Sequence, residues 1–237
     1  MMLCAWEELP EELRTDAVRP YYETLKKKRG SLLMKRLFDI LVSSVLLLLL
    51  LPLFLILAVA IKVDSPGPVF YRQVRVTQYG KTFRIFKFRS MVADADKGAL
   101  LTVGADTRIT RVGRAIRKYR LDELCQLIDV FRGTMTFVGT RPEVPKYVQS
   151  YTPEMMATLL LPAGVTSIAS IRYKDEDSLL ADADDVDQVY IEKVLPGKMK
   201  YNLEALRQFG FWKEILVMLR TVIAVLKKEN LTEEEWV

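Results

Sequence analysis

The chain has 237 residues, half of them hydrophobic, and its 35 Lys and Arg against 30 Asp and Glu leave a net charge of +5. It contains no histidine, which excludes a Ser-His-Asp triad, a Cys-His pair and an HExxH zinc site. Two cysteines, Cys4 and Cys125, make neither a CxxC site nor a disulfide framework, so chemistry must rest on carboxylates, Lys, Arg, Tyr, Ser or Thr, with an oxygen-bound metal as an option.

Residues 1–33 read as a peripheral helical segment, with helix formers over Glu7 to Leu13 and Arg19 to Lys28 and a proline, Pro10, at a plausible first helical position. Residues 34–63 hold the apolar run Leu37 to Ile61, 25 residues broken only by Asp39, Ser43 and Ser44. A straight helix of that length is roughly 37 Å long, enough to cross a ~30 Å hydrocarbon core. Pro52 falls near its middle and both flanks are basic, so neither end is marked for the far side. The sequence therefore favours a Pro-bent re-entrant helix over a full span, with Arg36 and Asp39 paired one turn apart.

Residues 64–237 read as one cytosolic body. Asp64-Ser65-Pro66-Gly67-Pro68 ends the membrane helix. Val69 to Val76 and Thr82 to Phe88 predict two short strands around a Tyr79-Gly80 turn. Thr107 to Arg120 and Leu121 to Phe131 carry helical periodicity, and Gly133, Gly139, Pro142 and Pro145 mark loops. Asp185 to Val194 and Phe211 to Lys228 predict further helices, the last either a core or an interfacial one. From Lys62 to Arg120 there are fourteen basic and four acidic residues, a local +10, whereas Asp175 to Asp187 holds seven acids. So basic a stretch directly after an apolar run points to polyanions at a membrane surface.

Three constellations carry chemistry. Leu121-Asp122-Glu123-Leu124 places two carboxylates after Arg114, Arg117, Lys118 and Arg120. Neighbouring cations keep a carboxylate ionised and nucleophilic, although the same pattern also starts helices. Phe86-Lys87-Phe88-Arg89 predicts Lys87 and Arg89 on one strand face, a two-cation claw for a pyrophosphate. Val138-Gly139-Thr140-Arg141-Pro142-Glu143 is a rigid turn bearing an Arg and a Glu.

Together these motifs resemble the bacterial sugar transferase family, monotopic phosphoglycosyl transferases that act on polyprenyl phosphate. The matching stretches are KRLFDILVSS (Lys35 to Ser44), SPGPVFYRQVRV (Ser65 to Val76), FRIFKFRSM (Phe83 to Met91), RITRVGRAIRKYRLDELCQLIDVFRG (Arg108 to Gly133) and VGTRPE (Val138 to Glu143). The chain departs from the family pattern at Leu51 before Pro52, at Arg120 and Cys125 around the dyad, and at Thr140. The resemblance implies a helix-rich α/β fold: a membrane-embedded re-entrant helix, a small cytosolic α/β body and interfacial amphipathic helices.

It also implies phosphosugar transfer from a UDP-sugar to undecaprenyl phosphate through a covalent aspartyl intermediate, the first membrane step of surface glycan synthesis. Asp122 would be the nucleophile, Glu123 would assist it, and the two would hold Mg²⁺. Lys87, Arg89, Arg117 and Arg141 would bind the donor. The expected location is the bacterial inner membrane with the active site on its cytoplasmic face, in contact with membrane lipid. The sugar, the pathway and the oligomeric state, a homodimer included, stay open. A non-catalytic scaffold for glycan assembly is the alternative. A nucleic-acid-binding domain is disfavoured, because the aromatics form no stacking platform and no binding motif is present.

Overall fold

The computed structural model describes residues 3–93, 107–173 and 185–227. The fold is helix-rich with two small sheets. After two 3₁₀ turns come α1 (Arg19–Lys27) and α2 (Arg29–Asp64). A hairpin of β1 (Phe70–Val76) and β2 (Thr82–Phe88) follows, antiparallel, with Phe70 opposite Phe88 and Val76 opposite Thr82. Its turn takes positive φ at both Tyr79 and Gly80, as a tight hairpin requires. Then come α3 (Arg111–Lys118), a 3₁₀ turn (Leu121–Cys125), α4 (Gln126–Arg132) and β3 (Met135–Val138). After α5 (Pro145–Val148), β4 (Ala163–Thr166) lies parallel to β3. The remainder is α6 (Ile168–Arg172), α7 (Val186–Val189), a π turn (Tyr190–Val194), α8 (Leu195–Arg207) and α9 (Phe211–Lys227). Most of the acidic run 175–187, and Lys228, lie outside the described residues.

The N-terminal segment differs from its expected peripheral place. Leu9, Leu13, Val18, Tyr21, Tyr22 and Leu25 are buried and join Leu159, Leu160, Leu203 and Leu206 in the largest core cluster. Burying each such side chain contributes roughly 1.5–3 kcal/mol, so this segment holds the body together. Helix α1 delivers Tyr21, Tyr22 and Leu25 from one face, at helical spacing, and the second 3₁₀ turn delivers Leu13.

Helix α2 has an inverted character. Its polar residues Lys35, Asp39 and Ser43, spaced four apart on one face, are buried against the body. Most of its leucines point away, Leu48 being 74% exposed, as does Val63 at 82%. The expected Arg36–Asp39 pair does not form, because each charge has a better buried partner. Arg36 donates to the carbonyls of Val130 and Phe131 at 2.7 and 2.8 Å, satisfying the C-terminus of α4. Asp39 accepts from Thr136 Oγ1 at 2.7 Å and from the Phe137 backbone at 3.2 Å. Lys35 donates to Glu214 Oε2 of α9 at 2.6 Å and to the Val138 carbonyl at 2.7 Å.

Pro52 lies inside this continuous helix rather than ending it. Beyond it, Leu57 and Ile61 pack with Phe88, Ile116 and Cys125. Asp64 Oδ2 then accepts from the Val112 backbone N–H at 2.9 Å and so caps α3. Helix α9 contacts α2 through Phe211 against Phe38, yet leaves Trp212, Leu216, Leu219, Val222 and Ile223 exposed. Its outer face is therefore apolar, the pattern of an interfacial helix.

Candidate active site

The floor of the site is the hairpin face carrying Tyr71, Gln73, Arg75 and Lys87, set by strand alternation. Lys87 stands opposite Tyr71 at the end of β2. The open edge of β2 is held by Asp129 of α4, whose Oδ2 accepts from the Phe86 N–H at 2.8 Å. Helix α3 crosses close behind the strand's end: a Cβ at Gly113 would lie 1.9 Å from the Ser90 carbonyl, so only glycine permits that approach. The close crossing brings Arg117, near the end of α3, toward the strand that carries Lys87.

The dyad sits on the 3₁₀ turn just after α3. Arg120 takes a left-handed backbone (φ 52), unusual for a side chain of this size, and this reverses the chain between α3 and the turn. Glu123 then faces Lys87, at 3.6 Å from Nζ, and Arg141, which grips both carboxylate oxygens, one at 3.4 Å and the other closer. Burial opposes the charge of Glu123, but Arg141 and Lys87 outweigh it and hold its carboxyl well below the usual range. Burial draws Lys87 down, the Arg141 and Arg75 charges add to that, and Glu123 and Asp122 pull the other way. Asp122 differs from its neighbour. Burial raises its pKa, Lys87 and Arg117 lower it, and the Glu123 charge raises it again. The dyad thus holds one firmly ionised carboxylate locked to cations and one carboxylate whose charge burial disfavours.

Arg141 is aimed by a clamp that the sequence reading did not single out. Gly139 N–H donates to the Thr166 carbonyl at 2.9 Å and Gly164 N–H to the Thr140 carbonyl at 2.8 Å, extending the β3–β4 pair. Arg75 donates to the Pro142 carbonyl at 3.0 Å and to Gln73 Oε1. Glu143 is buried: its Oε1 accepts from Tyr190 Oη at 2.6 Å, and Lys198 lies 3.6 Å away. Nothing in the local sequence around Arg75 and Glu143, which is mixed polar and apolar, marks them as partners.

The expected two-cation claw does not form. Lys87 faces the dyad, but Arg89 lies just beyond the strand and is 5% exposed. Its guanidinium donates to the carbonyls of Pro66 and Ser65 at 2.5 and 2.8 Å and to Ser65 Oγ at 2.9 Å. Gly67 (φ +117) leaves room for it, since a Cβ there would lie 2.2 Å from its Nη1. Arg89 therefore staples the turn after α2. The structure brings together Lys87, Arg117, Asp122, Glu123 and Arg141, and sets Arg89 apart.

No group of three acidic, histidine or cysteine side chains occurs among the described residues. The dyad nonetheless suits Mg²⁺, which binds through one or two carboxylates together with substrate phosphates. Asp122 is placed to share such an ion; Glu123 would first have to loosen from Arg141.

Residues 30–228 match the family model for bacterial sugar transferases. A UDP-N-acetylgalactosamine-undecaprenyl-phosphate N-acetylgalactosaminephosphotransferase of Aeromonas hydrophila is 35% identical over 81% of this chain and 43% of its own length. A UDP-glucose:undecaprenyl-phosphate glucose-1-phosphate transferase of Escherichia coli (strain K12) is 34% identical over 90% of this chain and 44% of its own length. One of the same description from Caulobacter vibrioides is 32% identical over 84% of this chain and 72% of its own length. The chain thus spans less than half of the first two relatives.

Proposed function

The chain belongs to the bacterial sugar transferase family, and from that premise we propose that it transfers a phosphosugar from a UDP-sugar to undecaprenyl phosphate through a covalent adduct on Asp122. The observation that carries this is the split dyad: Glu123 gripped by Arg141 and Lys87, beside a partly buried Asp122 whose ionisation is disfavoured by desolvation. A carboxylate stripped of water yet kept among cations is a stronger nucleophile than one in solution.

In the first half-reaction an Asp122 oxygen attacks the sugar-proximal phosphorus of the donor. A new O–P bond forms, the bridging P–O bond breaks, and UMP leaves with the bond's electrons. In the second, a phosphate oxygen of the polyprenyl phosphate attacks the same phosphorus. The aspartyl O–P bond breaks, the carboxylate returns, and a polyprenyl diphosphosugar departs. Lys87, Arg117 and Arg141 stabilise charge on the transferring phosphoryl group, and Glu123 holds Lys87 and Arg141 in place for that task. Asp122 would hold Mg²⁺ at the donor's phosphates, and the ion would supply further charge neutralisation there.

The same reading puts α2 and the outer face of α9 in one leaflet of the bacterial inner membrane, with the body on the cytoplasmic side where nucleotide sugars are made. Contacts at both ends of α2 support it. Arg36 and Asp39 bind α4 and β3, and Asp64 binds α3, all parts of one polar body. If residues 37–61 crossed a ~30 Å core, that body would have to cross with them.

The test is an assay with a panel of UDP-sugars, undecaprenyl phosphate and Mg²⁺, with acid quench after donor alone. The wild-type chain should carry a phosphosugar adduct at position 122, and Asp122→Asn should form neither adduct nor product. Product formation by Asp122→Asn would reject the mechanism, and glycan assembly in cells carrying a catalytically silent wild-type chain would favour the scaffold.

A further inference from the structure

A groove of about 890 Å³ opens on the outside of the molecule where the second half of α2 meets the start of α3. Its walls are apolar: Leu55, Ile56, Val59, Ala60, Val63 and Val112. Among the described residues, two charged ones line it, Asp64 and Arg111. Asp64 is committed to capping α3 through the Val112 N–H, and Thr110 Oγ1 accepts from Gly113 N–H at 2.9 Å, so the helix start is itself closed to anions. The groove therefore runs from an apolar trough to one exposed guanidinium.

From the groove a short path leads to the dyad. Arg117 lies six residues beyond Arg111 on α3, about 9 Å along its axis, and Arg117 acts electrostatically on Asp122. We infer that this groove binds the isoprenoid chain of the acceptor, with Arg111 receiving its phosphate before transfer; the inference rests on the proposed transferase reading and adds the acceptor's binding site to it. Three observations converge. The volume lies in the upper part of the range of small-molecule pockets, roughly 300–1,000 Å³, which suits a length of chain rather than a headgroup. The walls belong to the helix face that the membrane reading immerses in lipid, so a bilayer-borne tail enters without crossing water. One trough ending at one exposed guanidinium, with the neighbouring Asp64 carboxylate turned to the Val112 N–H, suits a single-chain phosphate, whereas a two-chain phospholipid would leave its second chain outside.

The test uses the full chain in nanodiscs with a prenyl phosphate bearing a benzophenone near its phosphate end. Ultraviolet labelling should map by mass spectrometry to residues 55–63, and excess undecaprenyl phosphate should compete it away while excess phosphatidylglycerol should not. Ala60→Trp, which fills the trough, should raise the acceptor KM by roughly tenfold or more, with the UDP-sugar KM changed by less than about twofold. Arg111→Gln should raise the acceptor KM and Arg111→Lys should recover most of the loss. Labelling confined to the first half of α2, competition by phosphatidylglycerol, or an unchanged acceptor KM in Ala60→Trp would overturn the inference. The outcomes separate it from the transferase reading. Groove labelling without turnover of any UDP-sugar supports the groove and rejects the reaction, and turnover without groove labelling does the reverse.

Discussion

Replacing Arg89 by methionine separates a structural cation from a substrate-binding one. Methionine keeps an unbranched stem of similar reach but none of the three donated bonds to Ser65 and Pro66. A hydrogen bond from a charged group contributes roughly 1.5–3 kcal/mol. Pro66 is exposed, so water partly replaces the lost donors there, and the expected cost is about 3 kcal/mol rather than the full sum. At roughly 2–4 °C per kcal/mol for a chain of this size, the melting temperature should fall by about 6–12 °C. Thermal unfolding in detergent measures this, alongside steady-state kinetics below the transition. Arg89→Met should leave the UDP-sugar KM within about twofold, while Lys87→Met, which removes a cation from the dyad, should raise it by roughly tenfold or more. An unshifted melting temperature together with a large rise in donor KM for Arg89→Met would refute the reasoning and restore the two-cation claw.

The pH dependence of adduct formation follows from the dyad. Asp122 attacks only when ionised, and burial raises its pKa, so quenched-flow rates should fall as the pH drops through a value above the ordinary aspartate range. Glu123→Gln removes a negative neighbour and should move that limb to lower pH; a limb that moves upward contradicts the assignment. Glu123 itself is held below the usual range, so its pairing stabilises the fold above the ordinary glutamate pKa and is lost as pH falls through the folded-state value. Breaking this partly buried cluster by Arg141→Met should lower thermal stability, by less than the ~3–5 kcal/mol of a fully buried pair because Arg141 is 33% exposed, and should weaken donor affinity. Gly113→Ala should destabilise the protein and lower kcat, because the added methyl displaces α3 and with it Arg117; unchanged kcat would show that the close crossing at Ser90 is dispensable. Cysteines introduced at Ser31 and Ser65 should label from the same side of the membrane, and labelling from opposite sides would reject the re-entrant placement.

Elements whose information is local were legible in the sequence. The apolar run announced α2 because 25 nearly uninterrupted hydrophobic residues favour few other fates, and the hairpin followed from alternation around a turn that accepts positive φ. The membership of the site was largely legible as well, since Asp122, Glu123, Lys87, Arg117 and Arg141 sit in short motifs of unusual charge. What charge pattern and periodicity do not carry is direction. Arg89 has the residue type and spacing of a phosphate ligand, yet a strand that ends one residue earlier lets it turn to Ser65 and Pro66. Residues β3 and β4 contribute are too few, four each, to show a period of two, and their pairing joins segments nearly thirty residues apart.

The sequence by itself determined that this chain has a long apolar run, a basic stretch directly after it and a carboxylate pair at the end of that stretch, because hydropathy and charge are properties of residues. Only the tertiary structure decided which carboxylate is locked to cations and which is not, because desolvation and ion pairing depend on groups far apart in the chain, such as Glu123 with Lys87 and Arg141. It likewise decided that the apolar helix turns its charges inward: Lys35 meets Glu214, 179 residues away, because a buried ammonium must find a carboxylate wherever the fold supplies one.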